Sequence, residues 1–297
     1  MGLLWSARLA QRFDQFLLIT RTVRQAQQVS RTGIGLTTLT GDHEKIRAKA
    51  RPAGLLQDEK PFDVILVMVK QHHLPTVIPG LQQVIHPETD VLFFQNGWGH
   101  QKWLEKLSYH CETYLAVTTE GALRKEDHVR HTGKGTSWFG SFPRSGKEPS
   151  LALKSLMAEV GQDLLQYDEK IHQRLWGKLT INCVINPMTA WYKIRNGELL
   201  NKKYDAEKEG ILTEVMDAAA MEGVLLHRRQ MWDLIHEVCR QTSENFSSML
   251  QDLNHRRPTE IDYLNGAIVR LGEKHQKKMP VNAEWVQRIR EKEKFVL

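Results

Sequence analysis

The sequence predicts an α/β domain followed by an all-α domain, over residues 1–168 and 169–297. Three observations predict it. Apolar runs of strand length alternate with helical segments through the first half, the pattern of a doubly wound parallel sheet. After about Asp168 the strand-like runs stop and helical patterns continue. The length of 297 residues suits one or two domains, and 41% hydrophobic residues are enough for sizeable cores. An α/β half followed by an all-α half implies a cleft between the two.

The elements follow in chain order. Phe16–Thr20 reads as a strand. Phe62–Val69 is a nearly continuous apolar run, as expected of a parallel strand buried on both faces. Asp90–Gln95 and Tyr114–Thr118 are two more candidates. Between them, Leu74–Ile85 and Trp103–Ser108 read as helices, the first weakened by Pro75 and Pro79. Scattered Gly and Thr across His128–Gly140 suggest antiparallel strands. Beyond Asp168, helices are expected over Lys170–Trp191, Ala206–Val224, His227–Gln241, Pro258–His275 and Ala283–Phe295.

Composition narrows the function classes. No apolar run of about eighteen residues occurs, so no membrane span is expected. Met1-Gly-Leu-Leu-Trp5 is followed at once by Arg8 and Arg12, which is no secretory pattern, so a cytoplasmic protein is expected. Cys111, Cys183 and Cys239 are few, odd in number and widely spaced, as for reduced thiols. The histidines, including His72 and His73, show no metal-ligand spacing. The net charge of +6 is spread among acids without a nucleic-acid-binding signature. It fits a solvated surface with one anion-binding cleft. A small-molecule substrate is expected, with a monomer or homodimer as the assembly.

The most informative segment runs from Leu175 to Ala190. It sets Lys178, Asn182 and Asn186 at intervals of four, so on a helix they stack on one face. Leu175 and Ile185 share that face, whereas Trp176, Cys183 and Val184 point toward a core. Asn is a poor interior helix former, and buried polar groups need partners. A bound polar small molecule would supply them; a solvated helix face is the competing reading. Asn186-Pro187 is expected to break or kink the helix where it opens onto a site.

This segment, with Asn196-Gly-Glu-Leu199 after it, resembles the core motif of the ketopantoate reductase (2-dehydropantoate 2-reductase) family. There a helix carries Lys with Asn four and eight positions later, then Asn-Pro, then Asn-Gly-Glu-Leu. Three further stretches match in the family's order. They are Val67-Met-Val-Lys70, Phe94-Gln-Asn-Gly-Trp-Gly99, and Glu244–Asp252 with Thr259–Gly266. The resemblance covers essentially the whole chain. It implies a Rossmann-like first domain that binds NADPH and a helical substrate domain.

It also implies roles. Lys178 becomes the proton donor, and Glu260 a carboxylate that orients Lys178, or the cofactor ribose and substrate hydroxyl. Pro258-Thr259-Glu260 equally looks like a helix start with an acid in its first turn. Asn182, Asn186 and Asn196 become substrate-binding amides, and Ser248 the residue that holds the substrate carboxylate. Asn96 stands against nicotinamide and substrate. Gly2, Arg21, Lys70 and Ala122 become cofactor contacts, together with Asn96 and Glu260.

A dinucleotide-binding domain opens with strand, Gly-x-Gly-x-x-Gly, helix. By resemblance Gly2 is the third of those glycines, so about ten residues, including the first strand, are missing. A central strand buries several side chains at roughly 1.5–3 kcal/mol each, against a total stability of about 5–15 kcal/mol. Two readings are open: a start assigned too late, and a truncated, inactive homologue. Nineteen positions after Gly2, Arg21 follows a strand where a carboxylate would bind NAD ribose. An Arg there accommodates the 2′-phosphate of NADP, and Arg24 can assist.

The expected function is NADPH-dependent reduction of ketopantoate to (R)-pantoate in pantothenate and coenzyme A biosynthesis. The alternatives are a related 2-oxo acid reductase and a non-catalytic homologue.

Overall fold

The computed structural model describes residues 1–143 and 148–296. The chain divides into two compact units: Met1–Gln95 with His100–Ile171, and Asn96–Gly99 with His172–Leu297.

The first unit is α/β. Its elements begin with α1 (Gly2–Ala10), β1 (Leu17–Thr20), α2 (Val23–Thr32), β2 (Ile34–Thr37), β3 (His43–Ile46) and β4 (Lys49–Pro52). They continue with β5 (Val64–Val67), α3 (Leu74–Leu81), β6 (Asp90–Phe93), α4 (Gln101–Leu107) and β7 (Glu112–Thr118). The last are β8 (Gly121–Lys125), β9 (His128–Gly133), β10 (Ser137–Ser141), α5 (Leu151–Val160) and β11 (Leu165–Tyr167). The strands expected at Phe16–Thr20, Phe62–Val69, Asp90–Gln95 and Tyr114–Thr118 are all present: β1 starts one residue later, β5 is two shorter at each end, β6 stops at Phe93, and β7 starts earlier, at Glu112.

Strands β5, β6 and β7 pair in parallel, and β10 joins β7 antiparallel with β11 beyond it. Every residue of β6 is buried, Asp90 included, which accounts for the apolar run Val91–Phe93. Strand β1 pairs in parallel with β4 in a ladder of its own, and β1 and β5 do not pair with each other. A third sheet has the order β3-β2-β9-β8. The antiparallel expectation for residues 128–140 therefore holds for β8–β9 and β7–β10 only. β9 also pairs in parallel with β2, and β10 with β11. A strand's partners on its other edge are chosen by distant chain.

Helix α1 serves two cores at once. Trp5 and Leu9, one turn apart, pack with Leu92, Phe94 and Tyr114. Leu3, Leu4 and Ala7 pack with Val29, Ile34 and Leu36. Arg8, near its end, makes a two-pronged ion pair with the buried Glu120, at 2.9 and 2.6 Å.

The second unit is helical: α6 (Ile171–Tyr192), α7 (Asp205–Met221), α8 (Arg228–Gln241), α9 (Ser248–Asn254), α10 (Asn265–Lys274) and α11 (Pro280–Val296). Two expectations are corrected here. First, Asn186-Pro187 does not break the helix: α6 runs through Pro187 to Tyr192. Proline donates nothing to the carbonyl four residues back, that of Cys183. The Asn265 side-chain amide fills the gap, donating to that oxygen at 3.0 Å. The last carbonyls of α6, those of Ala190 and Trp191, accept from the Lys292 ammonium.

Second, Pro258–His275 is not one helix. A short 3-10 turn, Ile261–Tyr263, is followed by Leu264 at φ −102°, ψ −104°, and α10 starts only at Asn265. Helical spacing continues across the interruption, which is why the pattern alone misses it. The irregular stretch is held by Glu293, which accepts from the Thr259 N–H at 2.7 Å, and by Thr259 Oγ1, which accepts from Ile261 N–H at 3.2 Å.

Replacing Asn265 with Leu strands the buried Cys183 carbonyl. The unfolding free energy is expected to fall by about 1–3 kcal/mol, read as a lower urea midpoint at unchanged slope. An unaltered midpoint would show that the proline gap is filled in another way.

Candidate functional site

Helix α6 carries Lys178, Asn182 and Asn186 on successive turns of one face. Trp176, Cys183 and Val184 are fully buried in the helical core on the other side. Lys178 and Asn182 are half-buried and Asn186 is buried.

The segment Asn96–Gly99 belongs to this same unit. The Trp98 N–H donates to the Tyr263 carbonyl at 2.8 Å. The Trp98 ring lies against the Trp176 ring, with centroids 4.9 Å apart and a 40° tilt. Gly97 has φ +82°, and a Cβ there would collide with the Tyr263 carbonyl, so both conformation and space require glycine. Held this way, Asn96 donates through Nδ2 to Glu260 Oε2 at 3.2 Å. Glu260 immediately precedes the 3-10 turn, and its side chain does not cap that turn. Glu260 thus stands at a helical start, as its sequence context suggests, but its carboxylate meets Asn96 and does not cap the turn.

Lys178 and Glu260 also feel each other. Burial among protein atoms pushes the Lys178 ammonium down to about 8, while the Glu260 carboxylate pulls in the opposite sense. Desolvation is the larger effect. An ammonium with that value gives up a proton near neutral pH far more readily than an ordinary lysine.

Asn196 has a partner of its own. Asn196 opens the 3-10 turn Asn196–Leu200 and donates through Nδ2 to Thr242 Oγ1 at 2.9 Å. Its Oδ1 is buried without a hydrogen-bond partner among the described residues, an acceptor suited to a ligand hydroxyl. The turn is fastened at its far end by the buried Lys208, which donates to the Leu199 carbonyl at 2.8 Å. Ser248 is exposed at the first position of α9. Its neighbour Ser247 is the buried one: it caps α9 and accepts from Thr189 Oγ1 of α6 at 2.7 Å.

In the first unit, Gly2 is the first residue of α1, Arg21 follows β1, Lys70 precedes the 3-10 turn Gln71–His73, and Ala122 lies in β8. Helix α1 has neither a side-chain cap nor an acidic residue in its first turn. Among the described residues no group of three or more His, Cys, Asp or Glu could hold a metal ion. No described helix is long and apolar enough to cross a membrane.

Two family descriptions match this chain: ketopantoate reductase PanE/ApbA over residues 1–144, and the C-terminal part of ketopantoate reductase PanE/ApbA over residues 170–293. This chain belongs to the ketopantoate reductase family. It is 34% identical over 232 residues to the 2-dehydropantoate 2-reductase of Vibrio cholerae, 77% of each chain. The crystal structure of a probable 2-dehydropantoate 2-reductase from Bacillus subtilis superposes with a TM-score of 0.82 at 29% identity, over 98% of this chain and 96% of that one. A D-mandelate dehydrogenase solved with NADH and anilino(oxo)acetate shares the fold, with a TM-score of 0.89 at 24% identity over 98% of this chain and 95% of that one.

Within that family frame, the structure adds residues that sequence reasoning did not single out. Gly97 and Trp98 lie in the quoted Phe94–Gly99 motif, and Asn-Gly after a strand is a turn signal that could have found them. Asn265 carries no local signal, because its partner lies 82 positions away.

Gly97→Ala is expected to displace the segment that holds Asn96. The near-ultraviolet circular dichroism of the Trp98–Trp176 pair should change while the far-ultraviolet spectrum stays helical. An unperturbed tryptophan signal would mean that the loop tolerates a side chain.

Proposed function

We propose that this protein reduces 2-dehydropantoate to (R)-pantoate with NADPH, the step that serves pantothenate and coenzyme A synthesis. The observation that carries this reading is Lys178, an ammonium lowered to about 8 beside a carboxylate, on one helix face with two amides. Family membership supports the same reaction.

Bound NADPH supplies the hydride for the carbonyl carbon. The residues of the first unit suit such a ligand. The first-turn amides of α1 meet no competing side-chain acceptor there, as a pyrophosphate needs. Arg21 and Lys70 add positive charge, and Ala122 offers backbone. Arg21 stands where a carboxylate would favour NAD, which supports the 2′-phosphorylated coenzyme.

In the helical unit, Lys178 polarises the carbonyl oxygen through its ammonium, stabilises the growing alkoxide and then delivers the proton. Glu260 keeps that ammonium charged and oriented, and Asn96 donates to Glu260. Asn182, Asn186 and Asn196 provide donors and acceptors for the substrate's hydroxyl and carboxylate, with the unpartnered Asn196 Oδ1 accepting from a hydroxyl. Ser248 donates to the carboxylate.

The direct test is NADPH oxidation with ketopantoate beside other 2-oxo acids. Turnover of another 2-oxo acid in preference to ketopantoate would overturn the substrate assignment. Lys178→Ala is expected to lower kcat by about 10²–10⁴-fold with little change in NADPH affinity; near-normal turnover would sink the proton-donor role.

The pH dependence has a definite sign. The donor must be protonated, so kcat/KM should fall as pH rises through about 8. Glu260→Gln removes the charge that raises the lysine, so this descending limb should move to lower pH. A limb that stays put or moves up would show that Glu260 does not act on Lys178.

A further inference from the structure

The end of β1 and the turn after β5 carry a linked pair of side chains. Arg21 Nη1 donates to His73 Nε2. His73 ends the 3-10 turn that begins directly after Lys70, and the His72 ring meets it edge-on with centroids 4.0 Å apart. Because β1 and β5 share no ladder, this contact ties the ends of two strands that backbone hydrogen bonds leave separate.

Both backbones are anchored. Thr20 Oγ1 donates to the Thr22 carbonyl at 2.9 Å, and Thr22 caps α2 by accepting from Gln25 N–H at 3.2 Å. His73 N–H donates to the Lys70 carbonyl at 2.9 Å, and the His73 carbonyl accepts from Thr76 Oγ1 at 2.8 Å. The long Arg21 side chain is exposed, and His73 holds its guanidinium.

Arginine has only donors, so His73 can hold it only as a neutral ring with its Nε2 lone pair free. The surroundings keep it so. Burial first, then the charges of His72, Arg21 and Lys70, push His73 down to about 4. One of the five guanidinium N–H groups is committed to His73, which leaves a fork of the others for an anion.

We propose that His73 is a specificity-determining positioning residue: its neutral imidazole pre-orients the Arg21 guanidinium for a phosphomonoester on the coenzyme ribose, and so sets the preference for NADPH over NADH. This rests on the NADPH reading above. Ordering an arginine side chain costs conformational freedom, and a partner that orders it beforehand removes that cost from binding.

The test is fluorescence titration of NADPH and NADH on the full chain and three variants. Arg21→Ala should collapse the NADPH preference. His73→Leu should weaken NADPH about three- to tenfold and leave NADH unchanged, and His73→Gln, which keeps an acceptor, should restore most of the loss. If Arg21→Ala leaves the preference intact, the assignment of Arg21 to the 2′-phosphate falls and this proposal with it. If Arg21→Ala collapses it but His73→Leu does not, or His73→Leu weakens both coenzymes equally, only the role of His73 is overturned.

Discussion

A carbonyl deprived of its donor organises the helical unit. Pro187 lies within α6, so the Cys183 carbonyl receives no helical N–H. Asn265 supplies the missing bond and, from the same nitrogen, donates to Asn282 Oδ1 at 2.9 Å. Asn282 in turn donates to Glu214 Oε2 through its backbone and its side-chain amide, both at 2.8 Å. This buried polar chain binds α6, α10, α11 and α7 together. These directional buried hydrogen bonds allow the four helices few relative arrangements.

The site inherits its geometry from that arrangement. The start of α10 is set by Asn265, and the irregular stretch before it brings Glu260 and the Tyr263 carbonyl to where Asn96 and Trp98 reach them. A continuous helix there would have its carbonyls inside the helical ladder. Interrupting it releases the Tyr263 carbonyl for Trp98. The Lys178 ammonium then stands under two opposed influences: burial that favours the neutral amine and Glu260 that favours the cation. Their balance, not either alone, sets its readiness to transfer a proton.

The first unit solves a different problem. Its strands are four residues long in most cases, and they fall into three separate sheets. Helix α1 packs a separate apolar set into each of two cores, and the Arg8–Glu120 pair fastens its far end. The Arg21–His73 contact adds a link between the chain after β1 and the chain after β5.

By itself the sequence determined what depends on neighbours a few residues apart. The alternation of β and α up to Asp168, the helices beyond it, and the stacking of Lys178, Asn182 and Asn186 on one face all follow from period and spacing. The tertiary structure decided what depends on distant chain. It carried α6 through Pro187, because Asn265 lies 82 positions on. It cut the helix expected over Pro258–His275, because Glu293 and the Asn96–Gly99 segment engage that backbone. It selected the second partners of β9 and β10. It also gave Glu260, at the start of a 3-10 turn, Asn96 as a partner 164 positions away. Local propensity is read within a few residues, whereas a hydrogen bond to a distant carbonyl exists only once the chain has folded back on itself.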